Sequence, residues 1–231
     1  MDRDTVDKLK AGLYYLHAFK AVQASSIDKT AAPLVWFRTN IYLKTTKIKW
    51  TEQYQAYTSR DSLIPNGTVS ASTAYNIDFG QILVVNSEAG TGDVVGRGVP
   101  ETISVRNNVI GTEFTSGISQ MVGDKASPLC ALPLYGAGHL ITMAPIQKVL
   151  VMFSAESKVA GSVTYKAFSP SGLFNFGKET EREVQYEINN GWSWGKAIWG
   201  ETVLPGDELQ SLLIERSVVL EDRVNYWRSI S

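Results

Sequence analysis

The sequence predicts a mainly β protein, an antiparallel β-sandwich with an N-terminal amphipathic helix and a short C-terminal helix. Three observations carry that expectation. Between Leu34 and Ile214 apolar and aromatic residues recur at every second position in short runs, the spacing of strands with one buried face. Clusters of turn-forming residues separate those runs at regular intervals. No helical segment intervenes between the runs, as a fold of alternating strands and helices would require.

The elements follow in order. Val6, Leu9, Leu13, Leu16 and Tyr15, then Phe19 and Val22, recur every three or four residues and predict an amphipathic helix from about Asp4 to Ala24. Asp2 and Asp4 suit its N-terminus, and Ser25-Ser26 with Ala31-Ala32-Pro33 close it. Residues 1–26 are thus expected to form a leader helix and residues 33–231 a single sandwich domain. Strands are predicted near 34–44, 47–57, 68–76, 80–86, 101–110, 128–135, 147–154, 161–168, 180–188, 194–203 and 208–217. The clearest alternation runs from Thr180 to Ile188, with Glu181, Glu183, Gln185 and Glu187 on one face and Val184, Tyr186 and Ile188 on the other. Pro65-Asn66-Gly67, Ser169-Pro170-Ser171-Gly172, Asn189-Asn190-Gly191 and Pro205-Gly206-Asp207 are among the expected turns. Leu220 to Ser231, with Val224, Tyr226 and Trp227, is the expected C-terminal helix.

Composition narrows the function classes. With 44% hydrophobic and 19% charged residues, a chain of 231 residues can bury a sizeable core. Lysine and arginine number 22 against 23 acidic residues, so no excess of positive charge is present to displace counterions from phosphates, and nucleic acid is not an expected partner. Cys130 is the only cysteine, which excludes an intrachain disulfide and a thiolate metal cluster. The first residues, broken by Lys8, Lys10 and Lys20, do not form the apolar core of a signal peptide. The expected location is cytoplasmic as encoded, or outside the cell after release by a non-classical route.

The chemistry-bearing motifs are few. Gly90 to Gly98 follows an apolar run, yet Val99-Pro100 and a further strand come after it, so it reads as a hairpin loop and not a phosphate cradle. His17 and His139 are the only imidazoles and have no neighbour at metal-ligand spacing. Glu179, Glu181, Glu183 and Glu187 read as a solvated strand face, and Asn66-Gly67-Thr68 as a turn. The expectation is a protein without catalysis, metal or cofactor. Trp192, Trp194 and Trp199 lie around the Asn189-Asn190-Gly191 turn. With Tyr186 they either present an aromatic rim to sugars or lipid headgroups or pack into the core. The predicted leader helix either lies on the sheets or enters a membrane interface through Leu9, Leu13, Leu16 and Phe19.

Several short pieces share an order with a known family: the N-terminal amphipathic helix; Lys49-Trp50-Thr51 with Tyr57, Ser59, Asp61 and Ile64-Pro65 before Val69; Val149 to Ser154; and Asn189-Asn190-Gly191-Trp192. On these the chain resembles the actinoporin-like β-sandwich proteins, which include pore-forming cytolysins and are related to fungal fruit-body lectins. After Ser154 the chain lacks the tyrosine- and tryptophan-rich run that binds phosphocholine in that family, so the resemblance implies the sandwich and the helix more than that lipid site. It implies a membrane-binding and pore-forming protein whose leader helix detaches, inserts and lines a homo-oligomeric pore, with lipid headgroups or glycans as partners. Gly12, which lowers helix stability by ~1 kcal/mol, suits a helix that must leave. The rival expectation is a self-assembling jelly-roll shell subunit that uses the helix as an interlocking arm, and a carbohydrate-binding, lectin-like module is the nearest variant.

Overall fold

The computed structural model describes residues 1–136, 138–196, 198–217 and Leu220. Helix α1 (Arg3–Ala11) opens the chain, followed by β1 (Tyr15–Ala24), β2 (Ala32–Pro33), β3 (Phe37–Thr39), β4 (Trp50–Ser59), β5 (Thr73–Ile77) and β6 (Gln81–Val85). Then come β7 (Gly92–Val95), β8 (Ile103–Asn107), β9 (Phe114–Val122), β10 (Lys125–Pro128), β11 (Cys130–Leu134) and β12 (His139–Ser154). The last elements are β13 (Ser171–Asn175), β14 (Gln185–Glu187), β15 (Gly191–Ser193), β16 (Gly200–Val203), α2 (Leu209–Leu213) and β17 (Ile214–Arg216).

The molecule is mainly β with few helices, and its larger sheet is mixed and curls into a half-barrel. That sheet runs β16-β13-β12-β8-β6-β7, with β1 on the other side of β12 and β3 and β17 on β1. A second sheet runs β2-β11-β9-β4-β5 with β10 on β9, and β14 and β15 form a separate hairpin. Most pairings are antiparallel, but β6 pairs β8 and β1 pairs β17 in parallel, so the wholly antiparallel arrangement expected from the turns does not hold. The β6–β8 pair is parallel because β7 and the Val99–Thr102 turn intervene, reversing the chain twice before it returns beside β6. The glycine-rich segment Gly90–Gly98, expected to be a hairpin loop throughout, does belong to a hairpin, but its Gly92–Val95 is strand β7, paired with β6.

The largest correction is at the N-terminus. The helix ends at Ala11, where Gly12 caps it and Leu13 takes φ 55°. Residues 15–24 are not helical but form β1, paired with β12 from Tyr15↔Ser154 to Ala24↔Met143. The first 26 residues are therefore not one leader helix, and ten of them form an interior strand. Both faces of β1 are covered. Leu16, Ala18, Val22 and Ala24 join the main core, which also takes Ala56, Ile118 and Leu132 from the second sheet. Phe19 and Ala21 join a smaller core under α2 with Leu150, Leu173 and Leu213. A strand buried on both faces loses the period-2 signature and reads as an apolar run, which permits a helical reading.

Other expected strands moved for local reasons. Residues 161–168 contribute isolated bridges only, such as Leu34↔Val163. The run 208–217 splits into α2 and β17, and the turn expected at Ser171-Gly172 is the start of β13. The expected C-terminal helix at 220–231 lies outside the described residues apart from Leu220.

Candidate functional site

Three chain segments converge at the end of the large sheet where β1 begins. The first is α1, whose N-cap Asp2 accepts the Thr5 amide at 2.7 Å. Its Val6 and Leu9 are buried, while Lys8 and Lys10 are exposed. The second is the loop of residues 40–49 after β3. Its Tyr42 is 1% exposed, packs edge-on to Phe153 at 5.2 Å and donates its hydroxyl to the Tyr14 carbonyl at 2.9 Å. The N-terminal ammonium of Met1 donates to the Lys44 carbonyl at 3.0 Å, tying the helix to that loop. The third is the β14–β15 hairpin, where the Ile188 amide donates to Thr5 Oγ1 at 3.4 Å.

What this end displays is unusual for a surface. Leu13 is 76% exposed, Ile41 80% and Leu43 63%, against a buried Tyr42 between the last two. Leu13 also adopts a left-handed backbone that a bulky residue takes only at a cost of order 1 kcal/mol. Thr39 and Thr46 hold the loop's shape. The Ile41 amide donates to Thr39 Oγ1 at 3.0 Å and the Leu43 amide to Thr46 Oγ1 at 3.1 Å, so both aliphatic side chains are held outward. Around them stand Lys44, Lys47 and Lys49, all exposed, and residues 40–49 contain no acidic residue. On α1 the acidic side chains are engaged locally, Asp4 with Lys8 at 2.7 Å and Asp7 with Arg3 at 3.7 Å.

The residues singled out from sequence divide sharply. Of the four expected to enter a membrane, Leu13 alone is exposed. Leu9 and Phe19 are 0% exposed and Leu16 5%, because Leu9 faces inward from α1 and the other two belong to β1. The aromatic group behaves chiefly as packing. Trp192 stacks on Phe153 at 5.6 Å with ring planes 9° apart, and Tyr186 lies 4.7 Å from the same ring. Trp194 and Trp199 flank Phe174 at 5.3 and 5.6 Å, and the Arg182 guanidinium covers Trp199 at 4.7 Å. All four are half-buried and close the side of the main core. The alternation from Glu181 to Ile188 holds in its exposure: the glutamates face out and Val184, Tyr186 and Ile188 face in.

The sequence offered no sign that Lys20 and His17, both on β1, are buried. Lys20 is 1% exposed on the main-core side, its Nζ 5.2 Å from the Trp50 ring, 5.8 Å from Trp36 and 3.4 Å from Gln147 Oε1. Burial lowers its pKa to about 8, against the opposing pull of Glu52. His17, on the opposite face, is 0% exposed and meets Phe168 edge-on at 5.4 Å. Burial lowers its pKa to about 4, and the positive charges of Arg38 and Lys158 add to that shift. A neutral, sealed imidazole and a sealed amine are poorly placed to meet a substrate. Cys130 is likewise sealed, its thiol pushed up to about 12 by burial. Among the described residues no group of three or more His, Cys, Asp or Glu is placed to hold a metal ion.

No family model, no curated protein and no solved structure matches this chain. The functional reading therefore rests on the apolar and basic end described above.

Proposed function

We propose that this protein is a peripheral membrane-binding protein that docks on anionic bilayers through the end carrying Leu13, Ile41 and Leu43. In this reading the two larger sheets stack as a rigid, sandwich-like body behind the docking end, as the actinoporin-like resemblance implies. The observation that supports it most is the pairing of three outward, shape-held aliphatic side chains with Lys44, Lys47 and Lys49. Each aliphatic side chain sunk into the acyl boundary contributes up to ~1.5–3 kcal/mol, and each lysine near an anionic surface about 1 kcal/mol. Binding of this kind needs neither catalysis nor a cofactor.

A helix-lined pore is not part of the proposal. The nine residues of α1 span only about 14 Å at ~1.5 Å per residue, against a hydrocarbon core of ~30 Å. Among the described residues no helix is long and apolar enough to cross a membrane. Extending the helix would require pulling β1 out of the sheet it anchors. The shell-subunit alternative gains no specific feature: a jelly roll is antiparallel, and the parallel β6–β8 pair departs from it.

The test is co-sedimentation with vesicles of phosphatidylcholine alone and of phosphatidylcholine with phosphatidylserine. The expected result is binding to the anionic vesicles that weakens with salt. It should fall at least tenfold in the triple variant Leu13→Ser, Ile41→Ser, Leu43→Ser and in the triple variant Lys44→Glu, Lys47→Glu, Lys49→Glu. Absence of binding by the parent protein, or binding unchanged in both variants while they remain folded by circular dichroism, overturns the reading.

A further inference from the structure

We propose that a small cleft formed by Ser26, Asp28, Tyr135 and their apolar neighbours binds a single neutral hexopyranose, the terminal sugar of a glycan. The cleft encloses about 170 Å³ and is floored by Ile27, Pro133 and Ile141. Its polar wall is built with more care than an exposed loop needs. Asp28 Oδ1 accepts from the Thr30 amide at 2.8 Å and the Thr30 hydroxyl at 2.7 Å, and Oδ2 accepts the Tyr135 hydroxyl at 2.7 Å. The Asp28 carbonyl accepts from the Ala31 amide at 3.0 Å and from Gln210 Nε2, on α2, at 2.8 Å. Tyr135 is fixed from behind as well, its amide donating to His139 Nδ1 at 3.0 Å and its ring 5.3 Å from that imidazole. Three segments far apart in the chain thus hold one carboxylate and one phenol ring in a set orientation, with the tyrosine still 40% exposed.

The donor and acceptor pattern selects the ligand class. A carboxylate has about four acceptor sites; Asp28 has filled two on Oδ1 and one on Oδ2, which leaves Oδ2 open to one more hydroxyl donor. The Tyr135 oxygen, having donated its proton to Asp28, is an acceptor, and the exposed Ser26 hydroxyl serves as either. A pyranose matches all three: hydroxyls at its edge that both donate and accept, and a C–H face that lies on an aromatic ring or an apolar floor. The cleft is of a size for one ring and not for an oligosaccharide. His139 and Ser154 are opposite ends of β12, so this site lies at the far end of that strand from the docking end at Tyr15 and is independent of it.

Saturation-transfer NMR on the full chain with a panel of methyl hexopyranosides tests the proposal. At least one glycoside should show transfer and titrate with a millimolar Kd. Asp28→Asn and Tyr135→Ala should each weaken it at least tenfold. Ser26→Phe fills the cleft without touching the Asp28 hydrogen bonds and should abolish the signal in a protein with an unchanged melting temperature. Leu43→Ser should leave it intact. No transfer from any glycoside overturns the proposal, as does transfer that survives Ser26→Phe. Binding of ethylammonium in place of the sugars also overturns it, since Asp28 would then be acting as a simple counter-charge.

Discussion

Leu13 and Phe19 stand six residues apart in a segment whose apolar spacing is uniform, yet one is 76% exposed and the other 0%. The difference between Arg3–Ala11 and Tyr15–Ala24 is one of partners. The first segment is amphipathic, with one row of buried side chains and charges elsewhere, and a helix satisfies it. The second is covered on both sides and lies between β12 and, at its two ends, β3 and β17, so hydrogen bonding to neighbouring strands wins over local spacing. Apolar periodicity reports how many faces a segment must bury only when one face is wet.

The strongest way to break this comparison is to truncate both side chains. Phe19→Ala should cost about 3–5 kcal/mol in urea unfolding, the usual range for emptying a sealed aromatic site. Leu13→Ala should cost less than about 0.5 kcal/mol, as a surface change does. Equal losses would mean that Leu13 is covered in solution and that the apolar end is not a free surface.

Much of the sheet was legible because turn-forming residues bracket its strands. β4, β6, β8 and β11 fall within or close to the predicted runs 47–57, 80–86, 101–110 and 128–135. β9 was missed because both its faces are covered and most of its buried positions other than Phe114 and Ile118 are polar or small. Ser116 and Gln120 share a face with Ile118, and Gly117 is required where a Cβ would stand 2.0 Å from the Cys130 carbonyl. Ser116 Oγ donates to the Tyr57 carbonyl at 2.8 Å and Gln120 Nε2 to the Thr51 carbonyl at 3.0 Å, so the strand is sealed by hydrogen bonds that hydrophobic pattern does not report. The docking end was half legible. Leu13 was flagged, whereas Asn40 to Lys44 read as part of a strand, with no sign that Tyr42 points in and Ile41 and Leu43 point out. The one usable signal was the run Lys44, Lys47, Lys49 without an intervening acid. The Asp28–Tyr135 cleft was invisible because its members are 107 residues apart in the chain.

The two faces of β1 give the second comparison, through pH. His17 has a folded pKa of about 4 against the ordinary 6.5. Its neutral form is favoured in the folded state, so stability is complete above 6.5 and falls as pH drops from 6.5 to 4. The loss amounts to about 3 kcal/mol at ~1.4 kcal/mol per unit. Lys20, about 8 against 10.5, has the same sign in another window: the cost of its buried charge is fully present below 8 and is relieved as pH rises from 8 towards 10.5. Above about 10 the buried Tyr54 and Tyr57, whose hydroxyls are held well above their ordinary range by burial, begin to favour unfolding, so the Lys20 limb is read between 8 and 10. His17→Phe should flatten the acid limb and Lys20→Met the alkaline one in urea midpoints taken across pH. A limb that persists in its own variant shows that the group is not responsible for it.

The smallest effect sharpens the reading of α1 itself. Asp2 caps the helix through the Thr5 amide, and that bond with the Thr5 hydroxyl holds its carboxyl below the usual carboxylate range. Asp2→Ala should cost about 1 kcal/mol, the usual value of a lost N-cap, and Asp2→Asn less than half of that. Because α1 carries the buried Val6 and Leu9 and is tied to Lys44 through Met1, a frayed first turn should also loosen the 40–49 loop. Hydrogen exchange at the Leu43 amide, bonded to Thr46 Oγ1, reads that coupling: faster exchange in Asp2→Ala than in the parent protein means that the helix supports the docking end, and identical exchange means that the loop holds its shape alone.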